Sequence, residues 1–127
     1  MNIVIDTNRY RDGDDGEATA VAVLKTADQI CVPFIVLGEL RYGFLHGTKT
    51  RENELRLRRF LQTARIKTFF PDERTTQEYA KLALQLRKQG TPIPTNDIWI
   101  AALTIQHNLT LFARDRHFDH LPQLARV

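Results

Sequence analysis

Met1-Asn2-Ile3-Val4-Ile5-Asp6-Thr7-Asn8 opens the chain, and its reading decides the fold. Ile3, Val4 and Ile5 are three β-branched apolar residues in a row, with no polar residue between them. A strand with one wet face would alternate; an unbroken apolar run reads as a strand buried on both faces. Such a strand lies in the middle of a parallel sheet, covered by helices on either side. Asp6 then stands at its carboxyl end, the edge where open α/β sheets collect ligands and catalytic groups. Taken alone, this stretch favours Asp6 as a turn or helix-cap residue, since Asp commonly ends strands. The other acids of the chain change that balance.

The 127 residues suit one domain, 1–127, with one core. Hydrophobic residues make up 43% and charged residues 26%, ordinary values for a globular protein. The net charge of +3 is mildly basic, which is compatible with a nucleic-acid partner without requiring one. Cys31 is the only cysteine, so an internal disulfide is excluded, and its neighbours Ile30 and Val32 predict a buried thiol. No basic leader precedes the first strand, and no apolar stretch reaches the roughly 18 residues of a membrane helix. These features set the expectation of a cytoplasmic protein with no membrane partner.

Beyond Asn8, residues 9–17 are rich in Gly and Asp and read as a polar loop. Asp12, Asp14 and Asp15 hint at a calcium loop, but the position for a third ligand is Gly16 and the glycine position is Glu17, so the spacing fails. Ala18 to Asp28 predicts a helix and Gln29 to Val32 a second strand. Pro33 suits a helix start, and the helix that follows from Phe34 runs to about His46. Glu39 sits inside it, bordered on its own face by Val36, Leu40 and Gly43. An ionised carboxylate there needs solvent, a cation such as Arg41, or a metal. Thr50 to Ala64 predicts a helix with an apolar stripe and a basic face of Arg51, Arg56, Arg58 and Arg59, continued by Arg65; such a face is either solvated or a guide for phosphates.

Ile66 to Phe70 predicts a third strand. A helix follows from Asp72-Glu73 to Lys88, with Tyr79, Leu82, Ala83 and Leu86 in helical period and Gly90 as its stop. Thr95, Asn96 and Asp97 precede the apolar helix Ile98 to Ile105, and all three are plausible caps. A cap requires one such residue, not three. Trp99 reads as core. Thr110 to Ala113 predicts a fourth strand, with Asp115 just beyond it, as Asp6 is beyond the first. Phe118 to Pro122 reads as a turn and Leu124 to Val127 as a final strand.

Alternation of strands and helices implies a parallel sheet with helices on both faces, joined by right-handed crossovers. Asp6 and Asp115 then gather at one edge, which Asp97 can reach from its helix start. Carboxylates brought together repel and raise each other's pKa unless cations compensate them. Oxygen donors without a Cys or His pattern favour Mg²⁺ or Mn²⁺ over Zn²⁺. His117 and His120, beside Asp115 and Asp119, are a weak zinc pattern. A hard ion held by carboxylates can activate water and stabilise charge on a phosphodiester.

The ordered set of Asp6-Thr7-Asn8 after a buried strand, Glu39 in an apolar helix, Pro94-Thr95-Asn96-Asp97 before Ile98-Trp99-Ile100-Ala101-Ala102, and Arg114-Asp115 after a Leu-Thr-Leu-Phe-Ala strand resembles the PIN-domain family. Within it, the chain looks most like the VapC-type toxins of bacterial toxin–antitoxin pairs. The resemblance spans essentially the whole chain. It implies a compact α/β/α domain and a Mg²⁺- or Mn²⁺-dependent endoribonuclease. It implies that Asp6, Glu39, Asp97 and Asp115 form the metal site, that Thr7 or Asn8 supports it, and that Thr95 and Asn96 are the polar pair before the third acid. It also implies a homodimer and a cognate antitoxin that covers the site, often with an arginine. Arg9, Arg11, Arg114 and Arg116 are candidate RNA contacts, and Arg9-Tyr10-Arg11 departs from the apolar residues that many relatives have there.

Two other classes remain open on the sequence. One is a PIN-like module that binds RNA or protein without cleaving. The other is a phosphatase or phosphotransferase, for which an Asp two positions after Asp6 is common; here that position is Asn8.

Overall fold

The computed structural model describes residues 1–127. Four strands form one parallel sheet: β1 (Asn2–Ile5), β2 (Gln29–Pro33), β3 (Ile66–Phe69) and β4 (Thr110–Phe112), in the spatial order β3-β2-β1-β4. Six helices connect and cover them: α1 (Thr7–Asp14), α2 (Ala18–Thr26), α3 (Phe34–His46), α4 (Thr50–Leu61), α5 (Glu73–Gln89) and α6 (Thr95–Gln106). A short 3₁₀ turn, Arg116–His120, follows β4.

β1 is an inner strand, as its composition requires. Val4 pairs with Cys31 on one side and Leu111 on the other. Successive strand residues face opposite sides of the sheet, and Ile3, Val4 and Ile5 are all fully buried, so both faces are covered. Ile30, Cys31 and Val32 are buried likewise, and burial pushes the Cys31 thiol pKa up.

The helices follow their local chemistry. α5 begins with a capping box in which Asp72 and Thr75 satisfy each other's backbone N–H, and it ends at Gly90 in the left-handed conformation, φ 71°. Leu82 and Leu86 bury its inner face. α6 buries Ile98 and Ile100 to Thr104, a nearly all-round apolar surface. Trp99 stacks on Tyr79 with 4.0 Å between ring centres, so it seals the α5–α6 seam and is half-buried, where full burial was the expectation.

Three expectations need correction. Residues 9–17 are not one loop: α1 starts at Thr7 and runs to Asp14. Asp6 caps it, accepting a hydrogen bond from the Thr7 N–H at 2.8 Å, and Tyr10 anchors it by packing edge-on against Phe60 at 5.2 Å. Cap and anchor outweigh the poor helix propensity of Gly and Asp. Thr95, Asn96 and Asp97 are not caps either. Pro94 occupies that position, and they form the first turn of α6 without a side-chain cap bond. The final strand shrinks to one bridge between Leu111 and Arg126, whose guanidinium turns to the carbonyls of Ala113 and Asp115.

Candidate active site

All four strands run the same way, so their carboxyl ends share one edge, and a cleft of about 660 Å³ opens there. Asp6, Glu39, Asp97 and Asp115 all line it, together with Thr7, Asn8, Asn96 and Arg11. Each acid arrives from a different element. Asp6 leaves the end of β1, and Asp115 leaves the end of β4 and caps the 3₁₀ turn through the N–H of His117. Asp97 is in the first turn of α6, and Glu39 projects from the middle of α3. Helix N-termini carry partial positive charge, so α1 and α6 favour the anions at Asp6 and Asp97.

That favour falls short of neutralising the cluster. Asp6 is 5% exposed, and burial is the main reason its pKa is raised to about 6; Asp97, Glu39 and Asp115 push the same way, against the Thr7 N–H bond. Asp97 is also raised, first by burial and then by Asp115 and Glu39, partly offset by His117. No lysine or arginine forms an ion pair with any of the four acids. Glu39 is held instead by a neutral donor: the Thr7 hydroxyl donates to its Oε1 at 2.8 Å. Arg41, two residues on, turns away to Glu54.

The candidate arginines divide. Arg11 is exposed and lines the cleft, its guanidinium lying against α3 at Gly43, where a side chain would meet Nη2 at 2.7 Å. Arg9 is 16% exposed, lies over the Phe112 ring and pairs with Asp12 and Glu17, so it is committed to packing α1. Arg114 makes a two-pronged bond to Asp12, at 2.8 and 3.2 Å. Arg116 is exposed on the 3₁₀ turn. Thr95 is exposed on α6 and is not among the cleft-lining side chains, whereas its neighbour Asn96 is. The basic face of α4 lies elsewhere: Arg56 pairs with Asp14, Arg58 approaches Glu54, and Arg65 donates to the carbonyl of Leu24.

Sequence reasoning missed Phe34, Ile35 and Gly38 in the wall of the cleft. Phe34, Ile35, Gly38 and Tyr42 line it from the same helix as Glu39. They recur at helical spacing with Glu39, a signal hidden because α3 is apolar on most of its faces. His117 was set aside with His120 as a weak zinc pattern, yet its Nδ1 lies 2.8 Å from Asp97 Oδ2 and 3.0 Å from Asp115 Oδ1. His120 does not join it; its carbonyl accepts from Gln89, and Asp119 pairs with Arg126.

The chain matches known proteins over the same frame. The PIN domain profile matches residues 2–124. Ribonuclease VapC1 of Haemophilus influenzae (strain R2866) is 36% identical over 104 residues, covering 76% of each chain. Ribonuclease VapC5 of Mycobacterium tuberculosis is 27% identical over 124 residues, 98% of this chain and 90% of its own. Among solved structures, VapBC2 from Rickettsia felis, bound to a DNA fragment from its promoter, superposes with a TM-score of 0.83 at 27% identity, covering 100% of this chain and 98% of that one. By profile, sequence and fold together, the chain belongs to the PIN-domain family, in its VapC branch.

Proposed function

We propose that this chain is a metal-dependent endoribonuclease and the toxin of a toxin–antitoxin pair. The observation that carries the reading is the convergence of Asp6, Glu39, Asp97 and Asp115 on one cleft with no arginine or lysine partner. Four carboxylates around a buried Asp6 have an incomplete charge balance, and a divalent cation completes it. Their donor atoms are all oxygen, which suits Mg²⁺ or Mn²⁺. The similarity to proteins named ribonucleases supplies the substrate class.

On this reading the four acids hold the ion. When bound, a divalent ion would offset charge on a phosphodiester and lower the pKa of a water. Thr7 fixes the Glu39 carboxylate through the 2.8 Å bond, in place to serve as a ligand. The amides of Asn8 and Asn96 line the cleft and are the neutral donors available to a phosphate oxygen, while Arg11 is the cation at its rim. Hydrolysis adds the water oxygen to phosphorus and returns a proton to the departing ribose oxygen.

VapBC-5 of Mycobacterium tuberculosis, a member of the VapBC family of toxin–antitoxin systems, shares this fold with a TM-score of 0.74 at 25% identity. It supports a cognate antitoxin as partner here. An antitoxin arginine placed in the acidic cleft would take the cation's part and block RNA. A homodimer and a cytoplasmic location belong to the same proposal; no helix of the chain is long and apolar enough to cross a membrane.

The test is cleavage of a mixed cellular RNA pool with Mg²⁺, Mn²⁺ or EDTA, beside an Asp6→Asn/Asp97→Asn double variant. Cutting that requires the metal and is lost in the variant is expected. Folded, inhibitor-free protein that cuts nothing under either ion would replace the enzyme with a binding module.

A further inference from the structure

One side chain beside the cleft touches two of the four acids at once, and it is not itself an acid. His117 lies in the 3₁₀ turn, and its Nδ1 is 2.8 Å from Asp97 Oδ2 and 3.0 Å from Asp115 Oδ1. The three donor atoms all lie within 4.8 Å of one another. The backbone N–H of His117 also donates to Asp115 Oδ1, at 2.9 Å, so the bond that caps the turn also holds the residue beside the carboxylate. Neighbouring donors of an octahedral ion with bonds of about 2.1 Å stand about 3 Å apart. The two short separations therefore match adjacent positions of a single coordination sphere. Imidazole nitrogen is a softer donor than carboxylate and favours transition metals over Mg²⁺.

We infer that His117 Nδ1 is a nitrogen ligand of the carboxylate centre, adjacent to Asp97 and Asp115, and that it gives the centre a preference for Mn²⁺ over Mg²⁺. The inference rests on the carboxylate–metal reading of the cleft. The four acids account for binding of a hard ion; the imidazole adds a discrimination that oxygen donors alone do not make. No other histidine is hydrogen-bonded or ion-paired to a cleft acid. His107 packs against Phe69 and His46 stacks on Tyr42. A nitrogen signal from a bound ion would thus report His117.

The experiment is Mn²⁺ and Mg²⁺ titration of the full chain, with electron spin-echo spectroscopy of the Mn²⁺ complex, for wild type, His117→Ala and His117→Asn. Asparagine keeps an amide to hydrogen-bond the two acids but offers no imidazole, so it separates ligation from positioning. Wild type should show imidazole-nitrogen modulation that both variants lack. Its Mn²⁺-to-Mg²⁺ affinity ratio should fall about tenfold in both. Mn²⁺ that binds wild type and weakens in Asp97→Asn, yet shows no imidazole modulation, would overturn the ligand role and leave the carboxylate centre standing. A ratio unchanged in both variants would overturn the selectivity. Wild type that binds neither ion would overturn this inference together with the metal reading beneath it.

Discussion

Two groups of carboxylates in this chain meet opposite environments. On the outer side of α1 and α4, acids sit within reach of arginines. Asp12 accepts from Arg114 and Arg9, and the Arg114 bond holds its pKa below the usual carboxylate range. Glu54 is lowered in the same way by Arg41. In the cleft the reverse holds: Asp6 and Asp97 are raised, and no arginine or lysine pairs with them. The chain has 18 basic residues against 15 acidic ones, so cations are not scarce. None of the arginines or lysines is paired with the four cleft acids, and only Arg11 lines the cleft beside them. A fold that neutralises its outer acids internally and leaves the acids around a buried Asp6 without an arginine or lysine partner is arranged for a cation from outside.

The sharpest way to break that contrast is to remove one acid of each kind. Asp97→Asn should lower RNA cleavage by on the order of 10³-fold, about 4 kcal/mol in the barrier. Asp14→Asn, which loses only its surface pair with Arg56, should leave cleavage within about twofold. Comparable losses in a cleavage-rate assay would mean that the distinction between the two groups has no bearing on activity.

Stability offers the next test, and its sign is opposite to that of an ordinary ion-paired acid. A carboxyl raised from 3.8 to about 6 in the fold contributes stability below pH 4 that is lost as pH climbs through 6. In metal-free protein at pH 7.5, Asp6→Asn should therefore be more stable than wild type, by up to about 3 kcal/mol. Asparagine caps a helix about as well as aspartate, so α1 should keep its start. The gain should vanish at pH 4, and added Mn²⁺ should raise the melting temperature of wild type only. Urea unfolding at the two pH values checks this; a variant less stable than wild type at pH 7.5 would show that the cleft acids are already compensated from within.

The contrast also explains what the sequence could and could not reveal. Strand β1 and helix α5 were legible because burial and period are local patterns. The acids at strand ends were legible because parallel topology fixes where those ends meet. α1 was not, since what makes it a helix is Asp6 as cap and a contact between Tyr10 and Phe60, fifty positions apart. The bond of Thr7 to Glu39 and that of His117 to Asp97 span 32 and 20 positions, and neither residue carries a spacing that announces it. Which arginines are free was equally hidden: Arg9 and Arg11 are two residues apart, yet one is committed to Asp12 and Phe112 and the other lines the cleft.

Smaller effects sharpen the same comparison. Thr7→Val keeps shape but removes the donor to Glu39 Oε1. A hydrogen bond to a charged group contributes about 1.5–3 kcal/mol, so cleavage should fall about tenfold or more, with metal affinity falling in step. Unchanged metal affinity would make Glu39 a ligand that orients itself.

At the far end of the scale stands Glu54, which bonds Arg41 at 2.9 and 3.2 Å on the exposed side of α3 and α4. Glu54→Gln removes a geometrically good pair, but water and salt screen both partners, and such pairs contribute under about 1 kcal/mol. The expected result is a small drop in urea stability that shrinks further in high salt, with cleavage unchanged. A large loss of cleavage would carry a specific meaning. Arg41 is two residues from Glu39 on α3, and once released from Glu54 it is the nearest cation in sequence to that acid. Its capture by the cleft would show that Glu54 helps to keep the acids free of an internal partner, and the two carboxylate groups would then be coupled through one arginine.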